Sequence, residues 1–298
     1  MKIIVLMGGT SPEREVSLRS GMAINEACNK AGYNSEMLDL EKDIHEITDE
    51  LKSCDLVFNA LHGGTGENGI IQGYLDSIGV NYTGSKTLSS AICMDKDISK
   101  KLVQLGGYDT ADWVCVQNEL SAMDSYFNEF PVVVKPNDLG STIGLEIVRE
   151  ATGVNDAVAR ALDFSNNIMI EKYIAGRELT VAVLGDTVLP IVEIKPEHDL
   201  YDYACKYTKG LSHYICPAGL PDNLTADIQS AALDIFHLLR CSDYTRIDFR
   251  LDDNDRFWFL EANTLPGMTS TSLVPKAAKA AGIDFTELIK QIINLSVQ

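Results

Sequence analysis

Two short stretches near the carboxyl end, Tyr244 to Leu251 and Arg256 to Ala262, read as strands joined by the turn Asp252 to Asp255. Strand alternation puts Arg246 and Asp248 on one face of the first, and carries Glu261 and Asn263 along one face of the second. All four lie toward the end away from the turn. Two carboxylates and an amide oxygen converging from neighbouring strands form a hard-oxygen site suited to Mg²⁺, which takes one or two carboxylates together with substrate phosphates. A solvated strand face is the plainer alternative. Phe257, Trp258, Phe259 and Leu260 weigh against it, because they mark a buried strand, and a buried carboxylate needs a partner.

Cations and glycines upstream extend this chemistry. Lys135 follows Val132-Val133-Val134 and precedes Pro136, so a cation ends a buried strand, although a lysine there is more often a snorkelling surface residue. Five residues later Gly140-Ser141-Thr142-Ile143-Gly144 offers amides that could cover phosphate oxygens. The spacing G-x-x-x-x-G-K-[ST] is absent, so a nucleotide would be held by lysines on strands under a glycine flap. Glu171-Lys172-Tyr173-Ile174, followed by Gly176 and Glu178, could hydrogen-bond a purine and a ribose or could simply link two units. Near the amino terminus, Gly8-Gly9 after a strand imitates a dinucleotide site, but G-x-G-x-x-G is missing. Glu13 at the helix start would repel a pyrophosphate and suits an amine instead. His62, among four glycines in His62 to Gly69, sits just past a strand, where open α/β sheets bind ligands.

The elements that must position these residues are legible as a pattern. Apolar and amphipathic runs alternate from Ile3 to Ile78, as in a βαβ unit with a parallel sheet. A helical run from Leu88 through Lys96 to Leu105 brackets a boundary near residue 95. Short β-branched runs follow at Trp113 to Val116, Pro131 to Lys135, Ile143 to Val148 and Ile168 to Lys172, around a helix from Gly153 to Leu162. Leu179 to Leu184 and Thr187 to Ile194 form a hairpin about Gly185-Asp186. Lys195 to Pro217 is a long aperiodic segment, a length typical of functional loops. A helix over Leu224 to Leu239 then leads into the final hairpin. The pattern predicts units at 1–95, 96–175 and 176–298.

Composition bounds the function. The 298 residues are 45% hydrophobic and 23% charged, enough for a globular protein of two or three domains. The apolar run at the start is too short for a signal core or a membrane span, which predicts a cytoplasmic protein. Seven cysteines without a C-x-x-C pair argue against disulfide or zinc frameworks. A net charge of −18 disfavours nucleic acid and anionic membrane as partners.

Taken together, these motifs resemble the D-alanine–D-alanine ligase family from end to end. The resemblance rests on Gly8 to Ser17, His62 to Gly69, Met94-Asp95-Lys96, Lys135 with the Gly140 loop, and Tyr201-Asp202-Tyr203 through Lys206-Tyr207. Arg246-Ile247-Asp248 and Glu261 to Thr269 complete it. It implies an ATP-grasp fold, α/β and α+β, with an N-terminal parallel-sheet domain and two α+β domains enclosing the nucleotide. It further implies a homodimer that joins two D-alanines with ATP, through a D-alanyl phosphate, for bacterial cell-wall synthesis. By resemblance Lys96, Lys135 and Lys206 contact the phosphates, Glu171, Lys172 and Ile174 the adenine, and Glu178 the ribose. Asp248, Glu261 and Asn263 hold two Mg²⁺ ions, with Mn²⁺ and a monovalent cation as further candidates. Glu13 binds the first amine near His62, Ser272 receives the second carboxylate, and Arg246 with the Gly267 amide stabilises an oxyanion. Glu13, Ser141 and Tyr207 form a hydrogen-bonded triad, and Lys206 also borders the substrate. Asp138-Leu139, and Thr142 in place of a common serine, depart from the family pattern. A D-alanine–D-lactate-type relative, or a ligase for another D-amino acid, and a non-catalytic ATP or amino-acid sensor are the alternatives; a sensor would not need both the metal ligands and the lysines.

Overall fold

The computed structural model describes residues 1–41, 43–117, 129–196 and 212–297. At its amino end β1 (Lys2–Gly8) lies between β2 (Asn34–Leu40) and β3 (Leu56–Asn59), all parallel. Both faces of β1 are covered, which is why it reads as an unbroken apolar run. Ile3, Val5 and Met7 point to one side with Ile24, Ala27 and Cys28 of α1 (Arg14–Lys30). Ile4 and Leu6 point to the other, against Leu51 of α2 (Thr48–Lys52) and Ile71 and Leu75 of α3 (Ile70–Ile78).

The expected helical run to Leu105 is two helices, α4 (Thr87–Met94) and α5 (Lys96–Leu105). Asp95 between them is extended (φ −84°, ψ 101°), and its side chain accepts the Ile98 N–H, which caps α5. Beyond it lies an antiparallel sheet of β4 (Trp113–Val116), β5 (Val132–Pro136), β6 (Glu146–Val148) and β7 (Ile168–Lys172), in the order β4-β7-β5-β6. The amphipathic helix α6 (Val154–Leu162) covers it through Val154, Ala157, Val158 and Ala161. Here β6 starts at Glu146, later than the apolar pattern suggests, because Ser141, Thr142 and Gly144 take left-handed φ values and form a turn.

The last sheet contains β8 (Arg177–Leu184), β9 (Thr187–Val188), β10 (Val192–Pro196), β11 (Ser212–Ile215), β12 (Tyr244–Leu251) and β13 (Phe257–Asn263). Its order is β11-β10-β8-β12-β13, with β9 pairing only with β8. The expected strand Thr187 to Ile194 is therefore broken, at Pro190, which has no N–H for the ladder. The segment read as aperiodic from Lys195 also contains a strand, β11. Helix α7 (Asp222–Leu238) packs on one face of this sheet. On the other, α8 (Leu273–Ala280) and α9 (Phe285–Ser296) share one core with α1 and the amino-terminal sheet. No helix among the described residues is long and apolar enough to cross a membrane.

This shared core depends on close approach of α1 to β1 at Gly21. A Cβ built there would lie 2.6 Å from the Met7 Cβ and 2.5 Å from its Sδ. Overpacking of this kind costs about 1–3 kcal/mol. Gly21→Ala should lower the free energy of unfolding in urea by that order, and Met7→Ala should recover part of it in the double variant. A Gly21→Ala protein as stable as the parent would show that the helix can move away freely.

Candidate active site

Pairing of β12 with β13 sets Arg246 opposite Asn263 and Asp248 opposite Glu261. The ladder then shifts register, so that Phe249 faces Phe259 and Leu260 is passed over. This irregularity turns Leu260 and Glu261 toward the same cavity. The Arg246 guanidinium donates to both Asp248 oxygens, Nε to Oδ1 at 2.9 Å and Nη2 to Oδ2 at 2.7 Å, and lies 4.0 Å from Glu261. From β8, Thr180 Oγ1 donates to Asp248 Oδ1 at 2.5 Å. Lys96 Nζ lies 3.6 Å from Glu261 Oε2 and donates to the Leu139 carbonyl at 2.7 Å. Asn263 Oδ1 accepts the Leu265 N–H at 3.0 Å and so shapes the turn toward Gly267. Paired carboxylates already flanked by a guanidinium and an ammonium form an environment built for positive charge. With the Asn263 oxygen alongside, this donor set fits a divalent cation.

Lys96 and Lys135 come from different elements, and Asn137 brings them together. Its buried side chain accepts the Asp97 N–H (2.8 Å) and donates to Asp95 (2.8 Å), while its carbonyl accepts the Lys96 N–H (3.2 Å). The start of α5 is thereby tied to the end of β5. Lys135 Nζ is 2.5 Å from Glu171 Oε1, and Lys100 Nζ is 2.5 Å from the other oxygen, Oε2. Burial pushes the Glu171 carboxyl up, but the two ammoniums outweigh it and hold it down at about 2. Both Glu171 oxygens thus serve lysines, and the Lys172 side chain pairs outward with Glu129 at 2.5 Å. Arg250 holds the other end of this cavity, donating to the carbonyls of Ile174 (3.0 Å) and Gly176 (2.8 Å) and lying 3.4 Å from Glu178.

Glu13 is buried where α1 begins, and Ser141 Oγ donates to its Oε1. Gly63 packs on the same carboxylate: a Cβ there would stand 2.6 Å from Glu13 Oε2, at a φ of +67° that disfavours any side chain. Buried His62 meets Ser20 Oγ through Nε2 (3.0 Å) and Glu67 through Nδ1 (3.6 Å). Ser20 Oγ also accepts the Met268 N–H at 3.2 Å, which links the amino-terminal sheet to the segment carrying Gly267. Ser272 Oγ accepts the Thr269 N–H at 3.0 Å, close to Gly267.

Two cavities result. One is lined by Glu13, His62, Arg246, Asn263, Gly267 and Ser272, among others. The other is lined by Lys96, Lys135, Glu171 to Ile174, Glu178, Asp248 and Leu260. Among the described residues Gly140, Ser141, Arg246 and Glu261 line both, and these four form the common wall. Every sequence-predicted site residue among those described is in this assembly; Lys206 and Tyr207, with Tyr201 to Tyr203, lie outside the described residues. Arg250, Asn137, Thr180 and Lys100 were not anticipated. Arg250 stands two residues past Asp248 on the same strand, and Lys100 stands one helical turn past Lys96, spacings that could have drawn notice.

The family model described as D-ala D-ala ligase C-terminus matches residues 102–294, and that described as D-ala D-ala ligase N-terminus matches residues 41–85. The chain is 42% identical over 294 residues to the D-alanine–D-alanine ligase of Aquifex aeolicus, covering 99% of this chain and 100% of that one. A crystal structure of the Bacillus anthracis D-alanine–D-alanine ligase complexed with ATP superimposes with a TM-score of 0.87 at 34% identity, covering 100% of this chain and 97% of that one. The VanG D-Ala:D-Ser ligase of Enterococcus faecalis gives 0.86 at 31% identity, covering 99% of each.

Because Glu171 is held below its ordinary 4.5, at about 2, its contribution to stability is present above the higher value and is lost as the pH falls toward the lower. Chemical denaturation across this range should show the parent losing stability more steeply than Glu171→Gln. Parallel curves for the two proteins would mean that Glu171 is not an ionised, paired carboxylate.

Proposed function

This chain belongs to the D-alanine–D-alanine ligase family and catalyses the ATP-dependent joining of two D-alanines, and we propose that the two meeting cavities divide that reaction between them. The observation that carries the reading is the common wall of Gly140, Ser141, Arg246 and Glu261. In an ATP-grasp fold, the lysine-lined cavity takes ATP, with the adenine beside the backbone of Glu171, Lys172 and Ile174 and the ribose at Glu178. The phosphates lie at Lys96 and Lys135, with Lys206 as the third cation that the family resemblance implies. Asp248, Glu261 and Asn263 would hold Mg²⁺, which neutralises charge on the transferring phosphoryl group. On the same reading the chain works as three units, 1–95, 96–175 and 176–298, and as a cytoplasmic homodimer supplying a peptidoglycan precursor.

The cavity at Glu13, His62 and Ser272 takes the amino acids. Glu13 receives the ammonium of the first D-alanine, with His62 nearby, and so aims its carboxylate at the wall. A carboxylate oxygen attacks the γ-phosphorus, the bond to the β-phosphate oxygen breaks, and ADP leaves. The second D-alanine, its carboxylate on Ser272, attacks the acyl phosphate carbon with a neutral amine. Arg246 and the Gly267 N–H stabilise the tetrahedral oxyanion, as preorganised donors do. Phosphate departs, the nitrogen loses its proton, and the amide remains. Ser141 supports this by holding Glu13, and Tyr207 would complete the triad. The ester-forming and sensor readings are not favoured by the relatives, which are named as ligases.

Glu261→Gln should fold normally, lose at least about a hundredfold in kcat, and need more Mg²⁺ for half-maximal rate, since each tenfold reports about 1.4 kcal/mol. Near-normal turnover with unchanged magnesium dependence would remove Glu261 from the site. With equal D-alanine and D-lactate at pH 7, the parent should form mainly the dipeptide; a dominant ester would overturn the substrate assignment while leaving the nucleotide site intact.

A further inference from the structure

Lys100 is fully buried, yet it lines neither cavity and has no part in the reaction described above. A lysine rarely reaches that depth without a specific partner. Its ammonium lies 2.5 Å from Glu171 Oε2 and 4.8 Å from the centre of the Trp113 ring. The ring is fixed from the same helix, because Trp113 Nε1 donates to Asp97 Oδ1 at 2.8 Å. Trp113 and Glu171 face each other across β4 and β7, and Glu171 faces Val133 across β7 and β5. Lys135, two residues beyond Val133, projects on the same side and takes Glu171 Oε1. The result is a line of charge, ammonium, carboxylate, ammonium, in which Glu171 and Lys135 line the nucleotide cavity and Lys100 stands behind them.

We propose that Lys100 is a positioning residue for ATP: by neutralising Glu171 from behind, it leaves the Lys135 charge available to the nucleotide phosphates. Two ammoniums and one carboxylate leave the line with one positive charge. Without Lys100, the same carboxylate would cancel Lys135, and the cavity would present a neutral pair to a polyanion. Glu171 in turn fixes where the Lys135 ammonium sits, a task that Lys135 cannot perform with its own flexible stem. This inference rests on the reading of Lys135 as a phosphate contact.

A charge-balanced set of variants tests it. Lys135→Met should raise the KM for ATP; if it does not, the phosphate role of Lys135 fails and the proposal falls with it. Given that rise, Lys100→Met should raise the KM for ATP about tenfold, with KM for D-alanine and kcat changed less than about threefold. The double variant Lys100→Met/Glu171→Gln restores one positive charge and removes the unbalanced buried carboxylate, so its KM for ATP should return to within about threefold of the parent. A merely structural Lys100 predicts otherwise: a lower melting temperature, both KM values unmoved or shifted together, and no recovery in the double variant. Those results, with Lys135→Met still impaired, would overturn the role of Lys100 alone. Breaking a buried pair can unfold a protein. If Lys100→Met does not fold, the double variant decides: ATP binding near that of the parent, read from the ATP-dependent rise in melting temperature, supports the proposal, and a loss beyond about tenfold overturns it.

Discussion

The antiparallel pairing of β12 with β13 is the constraint on which the rest of the site depends. It sets two carboxylates, a guanidinium and an amide within reach of one another, although twelve residues separate Asp248 from Glu261. A one-residue slip would send all of one strand's polar groups into the apolar face. What prevents it is packing: Phe249 and Phe259 are buried and meet edge to face, 6.5 Å between centres, beneath α7 and α5. β12 is interior to the sheet, so β8 adds the Thr180 hydroxyl to Asp248 from the other side. Register therefore does for this site what a metal does for a zinc knuckle, and it is held by apolar contacts rather than by the polar groups it arranges.

A chain carrying a net charge of −18 must still attract a triphosphate. On the proposed reading it would do so by concentrating cations on buried elements: Lys96 at the first position of α5, Lys135 near the end of β5, Arg246 and Arg250 along β12. Each is held by a carboxylate or carbonyl behind it, so little side-chain entropy remains to be lost when an anion arrives. The acidic excess lies elsewhere and falls off within a Debye length, whereas the buried pairs are screened much less.

Sequence reasoning reached the parts governed by local periodicity. The faces of β12 and β13, the glycines around His62, and Lys135 after three valines are visible because neighbouring residues report burial. Three kinds of feature were hidden. The register shift after Asp248 has no composition signal, yet it brings Leu260 to the lysine-lined cavity beside Glu261. Lys100 looks like any polar residue on an amphipathic helix until the sheet beneath it supplies Glu171 and Trp113. Asn137, buried between α5 and β5, resembles an ordinary loop asparagine although it clamps two elements. The polar partner is 40 to 71 residues away, or the contact is set by a ladder, and over such distances a single sequence holds no record of contact.

The bond between Ser141 and Glu13 joins residues 128 positions apart and directly links the loop after the central β5 strand to the amino-terminal unit at the common wall. Ser141 and Thr142 both hold left-handed backbone, φ 54° and 62°, a conformation that non-glycine residues adopt at a cost of about 1–3 kcal/mol each. Such strain persists only where surrounding contacts fix it. One such contact is with a carboxylate that is itself confined, by Gly63 on one side and the start of α1 on the other. An amine bound at Glu13 would share that carboxylate with the Ser141 hydroxyl. On the proposed reading, an amine at Glu13 and the shape of the Gly140–Ser141 loop would then be coupled through the hydrogen bond between Ser141 and Glu13, setting the conformational cost of the loop against the binding of the amino acid.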